Sequence, residues 1–474
     1  MKENFLFFLL PSIVTGVFGF FLLVPLTTYY LDPADFGVFA LLTALTLPIG
    51  PLSSTGVSWV LAGNYFKIEE DQRRILLFNV ALTDLALKSF WVVLFWLTTP
   101  WILPLFLREV GPQYILWFRL SLITILLTGF WPTVSYHLVL SKAGSRHALF
   151  EILPWATGAG FSLIALAHWG WKTETLFWSP IAAGAVLFVL NLWHLAGQIT
   201  MKIDRKWLRE VLVVGLPSIP AGLIEMLRNT LDRIFLERWL SLSALGVYSH
   251  SLSYRNLFTV GTKAFSRVFS PWALEIFSKK QNSEALSKRL NQWYALVGLL
   301  GIPIVFFADE AIAILTHGKF VAAAVPVKIW FFLILCFSYA IPYNSFLQAA
   351  KKTGVLMATD VISNLIFLAL TIPAIYFGGL LGAAMVYIAG NFALQMIRHW
   401  YSLKNGCQPF SQTALWTSTI FLLLGILISN GFQASLMAKI IWAVIFIACT
   451  LLINGITISE LRHSLGKSKP RSNP

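Results

Sequence analysis

The chain has 474 residues, 57% of them hydrophobic and only 12% charged, against roughly 25% charged in soluble domains; no aqueous core could hide so much apolar surface, which excludes a soluble globular protein. The net charge of +14 would suggest nucleic acid in a soluble domain, but in a chain this apolar it reads as basic enrichment of the loops on one side of a membrane, and no nucleic-acid partner is expected. Cys336, Cys407 and Cys449 have neither metal-ligand nor disulfide spacing, so they read as packing residues, with no metal site and no cofactor.

A crossing needs about 20 apolar residues. In chain order such runs fall at 5–30, 37–62, 76–104, 114–141, 149–168, 175–199, 211–236, 243–275, 290–316, 322–349, 355–377, 380–402, 412–430 and 436–458. The first begins with Lys2 and Glu3 but is long and has no small-residue cleavage site, so it reads as a retained span. The acidic run Glu69-Glu70-Asp71, followed by Arg73-Arg74, reads as a solvated connection, and the tail 459–474 is polar and basic. These runs predict an all-α integral membrane protein of about 14 transmembrane helices, with no loop long enough for a soluble catalytic domain.

Charge sets the orientation. With the N-terminus inside, the inner segments hold 22 Lys and Arg and the outer ones 5, which places both termini on the cytoplasmic side. That assignment counts Arg398 as inner and Lys439 as outer. Eight basic residues then remain within spans: Lys88, Arg119, Arg228, Arg233, Arg255, Lys263, Arg267 and Lys328.

The chain also repeats itself. LPSI occurs at 10–13 and again at 216–219, and LDPADFGVF at 31–39 answers LSLSALGVY at 240–248. Both matches occupy the same place in a two-span unit. They imply two six-helix lobes of like topology, 1–203 and 204–405, a parallel repeat around a central cavity as in transporters. Residues 406–458 add two helices, and 459–474 form a cytoplasmic tail.

F-G-V-F (Phe36 to Phe39), ending a short outer turn after the first span, and its second copy L-G-V-Y (Leu245 to Tyr248), after L-D-R-I-F-L (Leu231 to Leu236), resemble the polysaccharide and O-antigen flippases of the multidrug/oligosaccharidyl-lipid/polysaccharide exporter superfamily. The resemblance covers both halves. It implies two six-helix lobes, with the last two spans as an extra pair. It further implies alternating access that carries an undecaprenyl-pyrophosphate-type lipid-linked oligosaccharide from the cytoplasmic to the outer leaflet of a bacterial inner membrane. A proton or Na⁺ as coupling ion and polysaccharide assembly machinery as partner accompany it, beside the membrane lipids. Lipid II flippases of the superfamily place cations in the first lobe as well. Here the first two spans are neutral after Glu3, with Thr15, Thr27, Thr28, Ser53, Ser54 and Ser58 instead, so a peptidoglycan precursor is not the expected cargo.

Charges inside a bilayer cost roughly 2.5–3.5 kcal/mol each at a helix centre, so they mark function. In the seventh segment Glu225, Arg228 and Asp232 stand at i, i+3 and i+7 and can form an ion-pair ladder along one face, which either locks the bundle or lines a hydrated wall; Arg233 is offset and can pair with Glu237. In the eighth, Arg255, Lys263 and Arg267 form a stripe with no acid on it, about 18 Å long at 1.5 Å per residue. Arg267 can snorkel to the interface. Spaced cations of this kind suit a pyrophosphate, Arg as a planar fork and Lys as a mobile charge. Lys88 is either a first-lobe cation or neutralised by Asp84 at i−4. Tyr254 and Asn256, with Tyr29, Tyr30, Asn344 and Asn364, are candidates for sugar contacts. Glu225, Asp232, Asp84 and Asp360 are candidates for ion coupling, since burial raises a carboxylate's proton affinity and a neighbouring Arg lowers it. His137 and His250 lie isolated in apolar runs and read as polar packing residues.

No phosphate-binding loop and no H-E-x-x-H occurs, and no catalytic residue is assigned. The reading is a lipid-linked oligosaccharide flippase and not an enzyme. The rivals are a multidrug cation antiporter, whose cavity would want acids, and a membrane glycosyltransferase or polymerase, which would want an acidic cluster or a large outer loop.

Overall fold

The computed structural model describes residues 10–53, 57–107, 111–216, 219–279, 284–350, 352–431 and 435–453. The tail 459–474 and the side chain of Arg267 lie outside the described residues. The chain is all-helical. A π-helical turn (Ser12–Phe18) leads into α1 (Gly19–Tyr30), followed by α2 (Pro33–Thr46), α3 (Ile49–Leu52), α4 (Val57–Asn64), α5 (Glu70–Phe106), α6 (Pro112–Leu127), α7 (Trp131–Leu140), α8 (Gly144–Ala167) and α9 (Thr173–Ala196). Then come α10 (Arg205–Gly215), α11 (Ile219–Trp239), α12 (Leu242–Ser278), α13 (Glu284–Leu315), α14 (Ala324–Ala349), α15 (Thr353–Lys404), α16 (Thr413–Gly431) and α17 (Leu436–Ile453).

Nine helices or helix pairs among the described residues are long and apolar enough to cross a membrane. One of them, α15, is two helices meeting at Gly379, whose φ of 53° breaks the ladder. Two more apolar helices are shorter, Val14–Tyr30 and Thr413–Ser429. The helices α11 and α12 are long but carry too many polar groups to stand out by hydropathy. In all fourteen segments read from the sequence, the described residues therefore lie mostly in helices. The chain is a multi-pass membrane protein.

Local chemistry sets the helix ends. Asp32 and Asp35 form a capping box at the start of α2, with Pro33 at the first position, where a missing N–H costs nothing. The turn thus ends at Asp32, and Phe36 to Phe39 lie inside α2. The expectation that F-G-V-F closes the outer turn is corrected, because proline and the capping carboxylates start the helix at Pro33, three residues before Phe36. The acids at 69–71 open α5, where Glu70 pairs with Arg74 at 2.9 Å.

The helices gather into two compact units. The first comprises Met1–Leu257, Leu315–Ala323 and Asn364–Val386, the second Phe258–Ile314, Ala324–Ser363 and Tyr387–Pro474. One core of the first unit joins Val60, Leu76, Phe130, Val134, Phe150 and Trp207. That of the second joins Phe269, Tyr294, Val305, Phe331, Leu422 and Phe446. In the first unit α11 packs on α2 and α3. The two repeated motifs meet there: a Cβ added at Gly37 would lie 1.9 Å from the carbonyl oxygen of Leu242, and one at Gly246 would lie 1.6 Å from that of Pro33. Only glycine permits so close a crossing of α2 and α12. In the second unit α16 is seated on α13 through the same device. Gly298 faces Ser418, whose hydroxyl donates to the Tyr294 carbonyl at 3.1 Å.

Candidate functional site

In the first unit, Leu47, Gly50 and Pro51 face Gly222, Glu225, Met226 and Asn229 of α11 across a cleft of about 380 Å³. Its shape follows from small residues and prolines. Pro51 presses on Gly222, where an added Cβ would come within 2.7 Å, while nothing lies within 4 Å of a Cβ at Gly50. Glu225 opens into this cleft and, among the described residues, makes no ion pair. The ladder expected from Glu225 through Arg228 to Asp232 is therefore corrected at its first rung: Glu225 is exposed at the cleft, and an exposed carboxylate needs no ionic partner. Arg228 lies over the Phe367 ring at 5.5 Å. Asp232 is buried and accepts from the Tyr248 hydroxyl at 2.9 Å and from the Arg233 backbone N–H at 2.7 Å. Tyr248 closes the second repeated motif, so one role of that motif is to hold a carboxylate. Arg233 reaches the Ala40 carbonyl at 3.5 Å.

On α12, Tyr254 is buried and packs edge-on against Phe20, with centroids 4.7 Å apart. Arg255 is half-buried and Asn256 exposed. Lys88 is paired with Asp84 at 2.8 Å and also donates to the Gly129 carbonyl at 2.7 Å. Of the two readings of Lys88, the geometry supports neutralisation. His137 is not isolated: its Nδ1 lies 3.0 Å from Nε2 of His194, and its Nε2 lies 3.3 Å from the Tyr65 hydroxyl. The expectation of a lone histidine missed this pair because α7 and α9 meet only in the fold. Burial pushes up the pKa of the Tyr65 phenol, and the nearby Arg73 opposes that shift.

In the second unit Lys263 is exposed on α12, and no carboxylate among the described residues pairs with it. Asp360, offered as a coupling carboxylate, pairs with Arg398 at 2.8 Å. Arg398 also donates to Thr359 Oγ1 at 2.9 Å, Asn344 Oδ1 at 3.0 Å and the Leu356 carbonyl at 3.0 Å. Its placement among loop residues is corrected: it is a buried residue of α15, and four acceptors offset its desolvation. Lys439, also counted with the loops, is buried in α17. It pairs with Glu310 at 2.6 Å and lies 3.9 Å from Asp309. Asp309 in turn binds the fully buried Lys328 at 2.6 Å, and Ser429 accepts from Lys328 at 3.1 Å. Sequence reasoning missed this cluster, although the adjacent acids Asp309 and Glu310 within an apolar run were the signal for it. Among the described residues no group of His, Cys, Asp or Glu could hold a metal ion.

The fold is a multi-pass helical bundle with carboxylates and cations inside its apolar segments, and it can be compared with known proteins. A family profile described as "Polysaccharide biosynthesis protein" matches residues 29–325, and the chain belongs to that family. Among solved structures, "Lipid II flippase MurJ, inward closed conformation" is similar at a TM-score of 0.69 and 14% identity, covering 96% of this chain and 99% of that one. An inward-facing multidrug resistance MATE family transporter of the MOP superfamily gives 0.67 at 13% identity, covering 85% and 98%. The VcmN MATE transporter (D35N mutant) of Vibrio cholerae gives 0.56 at 11%, covering 85% and 96%. The fold is the one these share. No curated protein matches the sequence.

Proposed function

We propose that this protein is a flippase. It carries a lipid-pyrophosphate-linked oligosaccharide, the repeat unit of a polysaccharide or O-antigen, from the cytoplasmic to the outer leaflet of a bacterial inner membrane. Two six-helix lobes, residues 1–203 and 204–405, alternate access, and both termini are cytoplasmic. The observation that carries the reading is Lys263: a cation within a predicted span, exposed and without a paired carboxylate among the described residues, two helical turns beyond Arg255. A visiting pyrophosphate supplies the missing charge, and Arg255 offers the fork that phosphate oxygens prefer. Arg228, Arg233 and Arg267 are the further cations offered by the sequence for the cargo, and Tyr254 and Asn256 are the chain neighbours of Arg255. Membership of a polysaccharide family supports a sugar cargo, and likeness in fold to a lipid II flippase supports a lipid-borne one. Of the four candidate carboxylates, Glu225 opens to a cleft without an ion pair among the described residues, whereas Asp84 and Asp360 pair with Lys88 and Arg398. Glu225 is accordingly the best placed to couple a proton or Na⁺.

The test is complementation of a polysaccharide-deficient strain by Arg255→Ala and Lys263→Ala at matched expression. Both are expected to lose function, and normal complementation by both would sink the reading. Binding of an anionic lipid-pyrophosphate sugar against a cationic dye separates the flippase from a multidrug antiporter. Flipping rates that are equal with and without an imposed ion gradient would remove the coupling role of Glu225.

A further inference from the structure

The segment between α9 and α11 lies outside the residues proposed above for the cargo. It is held firmly from one side. The fully buried Asn79 donates to the Lys202 carbonyl at 2.8 Å and accepts from the Asp204 backbone N–H at 2.9 Å. Thr200 N–H donates to the Arg74 carbonyl at 3.3 Å. Asp204 caps α10 through the Lys206 N–H at 2.8 Å, and Glu210 accepts from Asn64 at 2.7 Å. Trp207 and Val211 are buried in a core of the first unit. Both acids of this segment are thus occupied by hydrogen bonds.

The opposite face is exposed. At 100° per residue, Arg205, Arg209, Leu212 and Val213 share one side of α10, with Lys206 at its edge, and all five are exposed. The face is cationic in its first half and apolar in its second. Just before it, Lys202 stands between Met201, 81% exposed, and Ile203, 65% exposed. No carboxylate among the described residues pairs with Lys202, Arg205, Lys206 or Arg209, and Lys206 lies over the Trp207 ring at 4.6 Å. Water is a poor environment for that apolar half. An 11-residue helix is about 16 Å long at 1.5 Å per residue, too short to span but right for lying in an interface. At that depth the apolar end enters the acyl boundary and the four cations meet the phosphate layer.

We infer that residues 201–213 are a docking surface for anionic glycerophospholipid headgroups, which hold the entry to α11 against the membrane surface. The occupant is argued from charge complementarity. Four unpaired cations beside an apolar flank fit a headgroup that carries net negative charge and brings its own acyl chains. This inference does not rest on the transport reading.

The test uses the full-length protein in nanodiscs containing photoactivatable phosphatidylglycerol, or phosphatidylcholine with the same photoactivatable acyl chain. Adducts mapped by mass spectrometry are expected within 201–213, at least about five-fold enriched for phosphatidylglycerol. Equal labelling by the two lipids, or phosphatidylglycerol adducts only elsewhere, overturns the inference. In a second arm, native mass spectrometry of protein in neutral detergent titrates the two lipids. Changing Lys202, Arg205, Lys206 and Arg209 to Ala is expected to shift half-saturation by phosphatidylglycerol at least about five-fold and leave phosphatidylcholine unchanged. An unchanged phosphatidylglycerol titration overturns the inference too. Because the wild-type labelling needs no substitution, a misfolded variant does not rescue or sink the result.

Discussion

At the scale of single residues, the intramembrane charges fall into two kinds. Some are satisfied by the fold itself. Lys328 is fully buried and held by Asp309 and Ser429. Replacing it by Ala removes the 2.6 Å bond and leaves Asp309 only the longer 3.9 Å contact with Lys439, and charged hydrogen bonds are worth about 1.5–3 kcal/mol each. Lys328→Ala is therefore expected to lower thermal stability in detergent by about that much, read from a melting curve. Others, Glu225 and Lys263, open to a cleft or to the surroundings without an ion pair among the described residues, which is where binding chemistry is available. Position in the sequence does not separate the two kinds, since Lys263 and Lys328 both sit in apolar runs. Only the partner from another helix decides. Cys407 shows burial acting on a neutral group. Between α15 and α16 it is 5% exposed, and burial disfavours the thiolate, so its pKa is pushed up to about 12. The thiolate is the reactive species. At pH 7.5 its population falls to the order of one in 10⁴, so Cys407 is expected to resist maleimide in the folded protein and react after SDS denaturation, as counted by mass spectrometry.

At the scale of elements, the packing depends on glycines at crossings. Gly37→Ala or Gly246→Ala would drive a Cβ into a backbone carbonyl, which cannot swing aside as a side chain can. Overpacking of this kind costs typically about 1–3 kcal/mol, and each variant is expected to melt earlier by a corresponding amount. Gly160 in α8 is the control. Nothing lies within 4 Å of an added Cβ there, so Gly160→Ala is expected to stabilise by about 0.5–1 kcal/mol through helix propensity. The repeat of LDPADFGVF and LSLSALGVY was legible as a pattern. That its two glycines press helix on helix was not, because a periodicity carries no information about which copy touches which.

At the scale of the whole molecule, the orientation we propose from the positive-inside count would put 197–204 on the cytoplasmic side and 168–172 outside. The 24-residue α9 between them is about 36 Å long at 1.5 Å per residue, enough to cross. Single cysteines at Thr200 and Lys172, introduced by Thr200→Cys and Lys172→Cys, are expected to be labelled by an impermeant reagent from opposite faces. Thr200→Cys should be reached only after the membrane is opened, and labelling of both from one side would undo the topology. The C-terminal helices belong to the packing of the second unit. Ser418 seats on Gly298, and Phe446 stacks on Phe421 at 5.1 Å. Lys439 neutralises Glu310. Truncation after Lys404 is expected to uncover that core and abolish accumulation of folded protein, as judged by size-exclusion profile.

Apolar runs of crossing length, their number, the side on which basic residues collect and the repeat of one motif are one-dimensional quantities. A bilayer makes them decisive, because every backbone polar group in lipid must be satisfied within its own helix. The sequence alone therefore determined that this is an all-helical multi-pass protein and that charges lie within its helices, though it set Arg398 and Lys439 in loops where the fold buries them in helices. Which of those charges are neutralised was decided by tertiary structure alone. The pairing of Lys328 with Asp309, of Arg398 with Asp360 and of His137 with His194 joins residues 19, 38 and 57 positions apart in the chain, brought together by helix packing that no local pattern encodes.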